Sequence, residues 1–170
     1  MISYDFSNLK VLIVEKQEPM RSLLRRVLDE FGVGEVIDAS SPEEGFNKFT
    51  KTRPDLVLID WAPDFNGLDL VRKIRNDKTS IFPLVPIVMV TAYEETSHIH
   101  EALDSGMTEY LSKPLSANLL YQRISTVIEN KHPFIRSKKF TGPDRRRKKE
   151  NFNGQNRRIT TEPTEMGYPA

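Results

Sequence analysis

A run of apolar residues that ends in a single carboxylate constrains the fold most strongly. Leu56-Val57-Leu58-Ile59 leads directly into Asp60, with Pro54 before the run and Pro63 after it. A continuous apolar run of this length is typical of a strand buried on both faces, as in a parallel sheet. In an open α/β sheet the carboxyl end of such a strand borders the crevice in which ligands bind. Asp60 therefore either opens a polar turn or is a functional carboxylate.

Strands and helices alternate five times in the first 130 residues. Short apolar runs that predict strands lie at 9–14, 36–37, 54–60, 85–90 and 110–111. Apolar residues at helical spacing follow each run, within 20–31, 43–49, 70–74, 99–103 and 119–128. This alternation predicts an α/β fold, with a parallel sheet covered by helices on both sides and joined by right-handed crossovers.

Charge divides the chain into two unlike parts. Residues 1–130 contain 14 basic and 20 acidic residues, a net charge of −6, whereas residues 131–170 contain 11 and 4, a net charge of +7. The chain has no cysteine, which excludes disulfides and thiolate metal sites. Neither a signal peptide nor a membrane-spanning run is evident. We therefore expect a soluble, cytoplasmic protein without membrane insertion.

The last forty residues lack a helical or strand period, and we expect residues 131–170 to be a basic, largely disordered tail that follows a folded domain of residues 1–130. The tail contains the motif Phe-x-Gly-x-x-Arg-Arg twice, at 140–146 and 152–158. Forty residues of this composition cannot build a separate output domain. The tail either contacts phosphates non-specifically, keeps the protein soluble, or binds another protein.

Polar side chains follow four of the five predicted strands. Glu15 comes after the first strand, Asp60 ends the third, Thr91 follows the fourth and Lys113 the fifth. In a doubly wound sheet these four ends meet at one crevice. A carboxylate there can accept a phosphoryl group, while a divalent cation, a hydroxyl and an ammonium group stabilise its oxygens. Thr91 alone could be a helix cap and Lys113 a solvated charge, but the order of all four favours phosphoryl transfer at Asp60.

With these residues in place, the sequence resembles the receiver domain of two-component response regulators, over about residues 8–130. The resemblance rests on residues 11–15 with 19–21, on 54–60 with Pro63 and Gly67, on Val90-Thr91-Ala92, and on residues 110–114. It implies a flavodoxin-like doubly wound sheet of five parallel strands in the order 2-1-3-4-5, with five helices. Tails containing Gly-Pro-Asp-Arg-Arg also follow some bacterial receiver domains, which does not indicate what this tail binds.

The resemblance also implies a role for each residue of the crevice. Asp60 would be the phosphoacceptor and Thr91 the switch hydroxyl. Tyr110 would be the aromatic residue that rotates, and Lys113 the lysine that contacts the phosphate, ahead of a cis Pro114.

Magnesium binding is expected to be weak. The resemblance implies a Mg²⁺ site made by Glu15, Asp60 and the backbone carbonyl of Ala62. However, Lys16 stands where the family carries a second metal-ligating acid, and the loop from Asp60 to Gly67 is one residue short, which can displace the Ala62 carbonyl. Mg²⁺ demands near-octahedral oxygen ligands and dehydrates reluctantly, so these two departures should be costly.

Lys16 is therefore a candidate modifier of the site. Its ammonium group could pair with Asp60, imitate the missing cation and hold the carboxylate ionised. Lys113 would then face Asp60 as well. On that basis, replacing Asp60 with alanine is predicted to lower thermal stability, because two lysines would be left facing each other.

Three hypotheses for function follow. The first is a single-domain response regulator resembling chemotaxis regulators, in which a histidine kinase or phosphotransfer protein phosphorylates Asp60 and binding to an unknown downstream protein changes. Such a protein is a signalling switch and not an enzyme. The second is a phosphorylation-independent adaptor of the same fold, with Lys16 fixing one state. The third is nucleic-acid binding through the basic tail, which the acidic folded part and the lack of a base-reading element disfavour.

Overall fold

The five-stranded sheet predicted from the sequence forms the centre of the molecule. A computed structural model describes residues 4–62, 64–92, 96–129, 133–137, 140–144 and 159–161. The strands of the main sheet are β1 (Lys10–Val14), β2 (Glu35–Ala39), β3 (Leu56–Trp61), β4 (Ile87–Thr91) and β5 (Glu109–Ser112). The helices in the described residues are α1 (Glu18–Glu30), α2 (Pro42–Thr52), α3 (Gly67–Asn76), α4 (Thr96–Ser105) and α5 (Ala117–Glu129). Neighbouring strands are parallel in the order β2-β1-β3-β4-β5, which confirms the predicted flavodoxin-like fold.

Alternate residues of β3 pack into two separate cores. Val57 and Ile59 belong to the core that α2, α3 and α4 cover, and Leu56 and Leu58 to the core that α1 and α5 cover. All four are at most 1% exposed, so the strand is buried on both faces as its apolar run predicts. Burying such a side chain contributes about 1.5–3 kcal/mol, and the strand therefore holds the backbone at Asp60 firmly.

Two helices begin with a serine whose side chain caps the first turn. Ser41 Oγ accepts the backbone N–H of Glu44 at 3.2 Å, with Pro42 at the first helical position of α2. Ser116 Oγ accepts the N–H of Leu119 at 3.1 Å ahead of α5. No helix in the described ranges has both the length and the apolar character needed to span a membrane.

The chain after residue 131 contains strands that the sequence pattern does not predict. They are β6 (Phe134–Arg136), β7 (Thr141–Pro143) and β8 (Ile159–Thr161), and they form an antiparallel sheet in the order β7-β6-β8. The expectation that residues 131–170 are largely disordered remains a prediction for the rest of the tail. Each strand has three residues, too few for a period-two pattern to be visible.

The predicted domain boundary at residue 130 remains a prediction. The second Phe-x-Gly-x-x-Arg-Arg copy, at 152–158, lies outside the described residues, as do residues 145–151 and 162–170.

Candidate functional site

The carboxyl ends of four strands meet at one edge of the sheet. Asp60 lies near the end of β3 with only 6% of its surface exposed, and Thr91, the last residue of β4, is buried. Glu15 directly follows β1 and is also buried. Lys113 follows β5, and its backbone N–H donates to the carbonyl oxygen of Thr91 at 2.8 Å. The Lys113–Pro114 peptide bond is cis. The four residues expected in the crevice thus lie together.

The ammonium group of Lys113 lies between two buried carboxylates. Its Nζ donates to Asp60 Oδ1 at 2.9 Å and to Glu15 Oε2 at 2.8 Å. The other oxygen of Glu15, Oε1, accepts the backbone N–H of Gln17 at 2.9 Å. When both acids are ionised, this cluster therefore holds two negative charges against one positive charge.

Burial controls the ionisation of this cluster. Loss of solvent raises the pKa of Asp60 above its ordinary value, and the charge of Glu15 acts in the same direction, whereas the hydrogen bond from Lys113 acts against it. Burial by itself would lower the pKa of Lys113, but the hydrogen bonds to Glu15 and Asp60 outweigh it and raise that pKa. Lys113 is therefore protonated at neutral pH, and the Asp60 carboxylate is more basic than an exposed one.

Lys16 does not pair with Asp60, contrary to the expectation from the sequence. Its Nζ makes an ion pair with Asp64 in the loop that follows β3. Both side chains face solvent, with exposed fractions of 53% and 68%. The hydrogen bond from Lys16 lowers the pKa of Asp64. Lys113 is thus the cation that neutralises Asp60, and the predicted destabilisation on removing Asp60 loses its basis.

The residues present do not make a good Mg²⁺ site. Of the three expected ligands, Glu15 and Asp60 both accept hydrogen bonds from Lys113, and the carbonyl of Ala62 accepts the N–H of Phe65 at 2.9 Å. An ammonium group occupies position 16, where the family has a carboxylate. No group of three or more His, Cys, Asp or Glu side chains within the described ranges could hold a metal ion. Mg²⁺ is a hard cation that needs several free oxygen ligands, so these residues should bind it weakly.

Trp61 connects the site to α4 in a way that no sequence pattern indicated. Thr91 Oγ1 donates to the carbonyl oxygen of Trp61 at 2.7 Å. The indole ring meets the ring of His98 edge to face, with the centroids 5.3 Å apart. His98 lies in α4. The residue next to the candidate phosphoacceptor therefore contacts both the Thr91 hydroxyl and α4.

Gly67, at the start of α3, lies very close to the backbone of Asp60. A Cβ atom at this position would overlap the carbonyl oxygen of Asp60 and stand 3.0 Å from a side-chain atom of Ile59. A residue without a side chain is therefore needed for α3 to start this close to the site.

An open cavity of about 300 Å³ lies between α4, β5 and α5. Tyr110, the expected rotating aromatic, is half-buried and lines this cavity, while also packing against the core under α4. The other lining residues are Ile99, Leu111, Ser112, Leu119 and Arg123. Tyr110 thus lies between the protein interior and a surface cavity that is large enough to receive a side chain of a partner protein.

A doubly wound sheet with aspartate, threonine and lysine gathered at its strand ends is the arrangement of a receiver domain. The family model for the response regulator receiver domain matches residues 11–125, and the chain belongs to this family. Receivers of this kind act in two-component signalling. The match ends before β6, so the three C-terminal strands lie beyond it.

Individual relatives agree with this assignment. The chemotaxis protein CheY1 of Helicobacter pylori is 33% identical over 122 residues, which cover 71% of this chain and 97% of that protein. The phosphate regulon transcriptional regulatory protein PhoB of Pseudomonas aeruginosa is 29% identical over 124 residues, which cover 72% of this chain and 53% of that protein. The solved structure of a two-component response regulator from Clostridium difficile has a TM-score of 0.64 at 30% identity, and covers 72% of this chain and 97% of that one.

Proposed function

We propose that Asp60 accepts a phosphoryl group and that the phosphorylated protein changes its affinity for a partner protein. The observation that supports this most directly is the position of Lys113, which bonds Asp60 Oδ1 and Glu15 Oε2 at the carboxyl edge of the sheet. An ammonium group at this position can neutralise charge on a phosphoryl group carried by Asp60.

The reaction is a nucleophilic displacement at phosphorus. Asp60 Oδ2, which is not the oxygen that Lys113 bonds, attacks the phosphohistidine of a histidine kinase or phosphotransfer protein. A P–O bond forms and the P–N bond breaks, with its electron pair leaving on the imidazole nitrogen. The raised pKa of Asp60 makes the ionised carboxylate a better nucleophile. No step is assigned to Mg²⁺, because the residues present do not fit it.

The switch begins at Thr91. Its hydroxyl donates to the carbonyl of Trp61 in the unphosphorylated protein, and in the phosphorylated protein it turns to a phosphoryl oxygen. Movement of β4 and β5 then changes the position of Tyr110, and with it the cavity between α4, β5 and α5. A downstream protein that binds this cavity prefers one of the two states.

Phosphorylation by a small donor tests the proposal. The purified chain is incubated with acetyl phosphate, and the modified peptide is located by mass spectrometry before and after hydroxylamine, which cleaves acyl phosphates. We expect one hydroxylamine-sensitive phosphoryl group on Asp60 in the wild type and in Asp64→Asn, and none in Asp60→Asn. Asp64 is the matched control because it is a nearby acid, in the loop that follows β3, whose carboxylate pairs with Lys16 and not with Lys113.

A wild-type chain that takes no phosphoryl group from acetyl phosphate or from a histidine kinase would contradict the proposal. The adaptor hypothesis, in which the fold works without phosphorylation, would then account for the receiver fold better. Modification that persists in Asp60→Asn would show instead that another residue is the acceptor.

A further inference from the structure

The C-terminal hairpin, defined as residues 133–137 and 140–144, packs on the sheet edge opposite Asp60. Within it β6 and β7 pair, and the N–H of Asp144 donates to the carbonyl of Pro133 at 2.7 Å. Phe134, Ile135 and Thr141 are buried. It contacts Gly106, which precedes β5, and Arg75 near the end of α3, whose guanidinium bonds the segment before β4, so this interface lies at the amino ends of β4 and β5. Buried apolar side chains in so short a hairpin require a surface to pack against.

Arg75 is the anchor of this interface. The side chain is fully buried, and its guanidinium donates to the carbonyls of Gly106, Pro83 and Val85 at 2.9, 2.6 and 2.7 Å. The same guanidinium lies 5.2 Å from the centroid of the Phe134 ring, a favourable cation–π distance. One arginine thus joins the end of α3, the segments before β4 and β5, and the hairpin.

The hairpin approaches the receiver backbone at Gly106. A Cβ atom on Gly142 would stand 2.9 Å from Gly106 Cα and 2.5 Å from an atom of the Phe140 ring. A Cβ atom on Gly106 would overlap the carbonyl oxygen of Thr141. The glycine of the first repeat copy therefore has a structural role, because this close approach leaves no room for a side chain at position 142.

Gly106 is also the first residue of the connection between α4 and β5, which spans 106–108. Ile99 in α4 and Tyr110 in β5 line the cavity assigned above to a partner. We propose that the C-terminal hairpin is an intramolecular ligand of the receiver, which restrains the α4–β5 segment (residues 96–112) through Arg75 and Gly106. Release of the hairpin makes the cavity wall formed by α4 and β5 more mobile and changes the affinity of the cavity for a partner. By linkage, a partner that displaces this wall weakens the docking of the hairpin by the same factor. This coupling does not require phosphorylation of Asp60.

Hydrogen–deuterium exchange on the full chain tests this coupling. Gly142→Ala adds one methyl group at the interface, at a backbone conformation open to any residue, whereas Gly106 has a φ of +97° and its substitution would add strain. We expect peptides from residues 99–112 to exchange about tenfold faster in Gly142→Ala, together with the hairpin itself. The peptide containing β1 should keep its wild-type rate.

Two further variants make the result decisive. Phe134→Leu keeps an apolar side chain and removes the ring over Arg75, so it should cause a smaller acceleration in the same two regions without a steric clash. Leu23→Ala, at a residue of α1 that is 50% exposed, is the matched apolar deletion and should leave both regions unchanged. If Gly142→Ala unfolds the whole chain, the comparison of Phe134→Leu with Leu23→Ala shows whether hairpin docking restrains residues 99–112.

Two outcomes overturn the proposal. The first is an unprotected hairpin in the wild type, which would mean that docking is absent in solution. The second is a hairpin that both interface variants release while residues 99–112 keep their wild-type exchange, which would mean that docking and the cavity wall are independent.

Discussion

Replacing Asp60 with asparagine is expected to stabilise the protein. The oxygens of Asp60 and Glu15 that Lys113 bonds lie within 2.9 Å of the same nitrogen, so they are at most about 6 Å apart. Two unit charges at that distance repel by about 3 kcal/mol at an effective dielectric constant of 20. A neutral acceptor also weakens the bond from Lys113, which offsets this repulsion, but asparagine avoids the cost of burying an ionised carboxylate, which is the largest cause of the raised pKa of Asp60. The net gain is then about 1–2 kcal/mol, or about 2–8 °C in Tm for a chain of this size.

The pH dependence of this gain distinguishes the mechanism from other causes of stabilisation. The pKa of Asp60 is raised in the folded protein, so the folded state holds that proton more tightly than the unfolded state. Ionisation therefore destabilises the fold progressively as pH rises from the unfolded value of 3.8 through the raised folded value. Asparagine never ionises, so the difference between variant and wild type should be small below about pH 4 and largest at neutral pH.

Urea denaturation from pH 3.5 to 8 in EDTA measures this difference, with Asp64→Asn as the control. Asp64 is exposed and its ion pair with Lys16 lies in solvent, so its removal should change stability little at any pH. If Asp60→Asn is destabilised, or if its gain in stability does not depend on pH, the reasoning that an ionised Asp60 destabilises the cluster it forms with Glu15 and Lys113 is wrong. Destabilisation would instead restore the prediction made from the sequence.

Three other results are expected. Lys16→Asp restores a carboxylate where the family carries one. Mg²⁺ should therefore quench the fluorescence of the single tryptophan, Trp61, at a concentration at least about tenfold lower than in the wild type. Equal titrations of variant and wild type would show that Lys16 is not what weakens the site. His98→Ala removes the ring that meets Trp61 edge to face, so the emission intensity or maximum of Trp61 should change without added ligand, and an identical spectrum would contradict that contact in solution. Arg75→Met leaves three carbonyl groups without their guanidinium donor and should lower the free energy of unfolding by about 3 kcal/mol in urea; a loss below about 1 kcal/mol would show that Arg75 is not a structural anchor.

The sequence by itself determined the fold and the residues at the centre of the site. The apolar run before Asp60 predicts a strand buried on both faces, and alternation with helices makes the sheet parallel. In such a sheet the order of residues along the chain fixes which of them lie at the carboxyl edge. Asp60, Thr91 and Lys113 could therefore be brought together from their positions in the sequence.

Tertiary structure alone decided which cation neutralises Asp60. Lys16 is adjacent to the site in sequence, but a lysine has a long flexible side chain that pairs with whichever carboxylate the fold places within reach. Asp64 lies on the exposed loop, where Lys16 keeps its hydration, whereas Lys113 reaches the buried pair. No local pattern distinguishes these outcomes, because both depend on distances set by the packing of separate strands.

Arg75 and the C-terminal hairpin show the same limit. An arginine in the last turn of a helix is ordinarily a solvated charge near the negative end of the helix dipole. Here it is buried, because carbonyls from two distant segments and the ring of Phe134 converge on its guanidinium. Strands of three residues carry no period of their own. Their position therefore follows from long-range contacts, which the order of residues along the chain does not reveal.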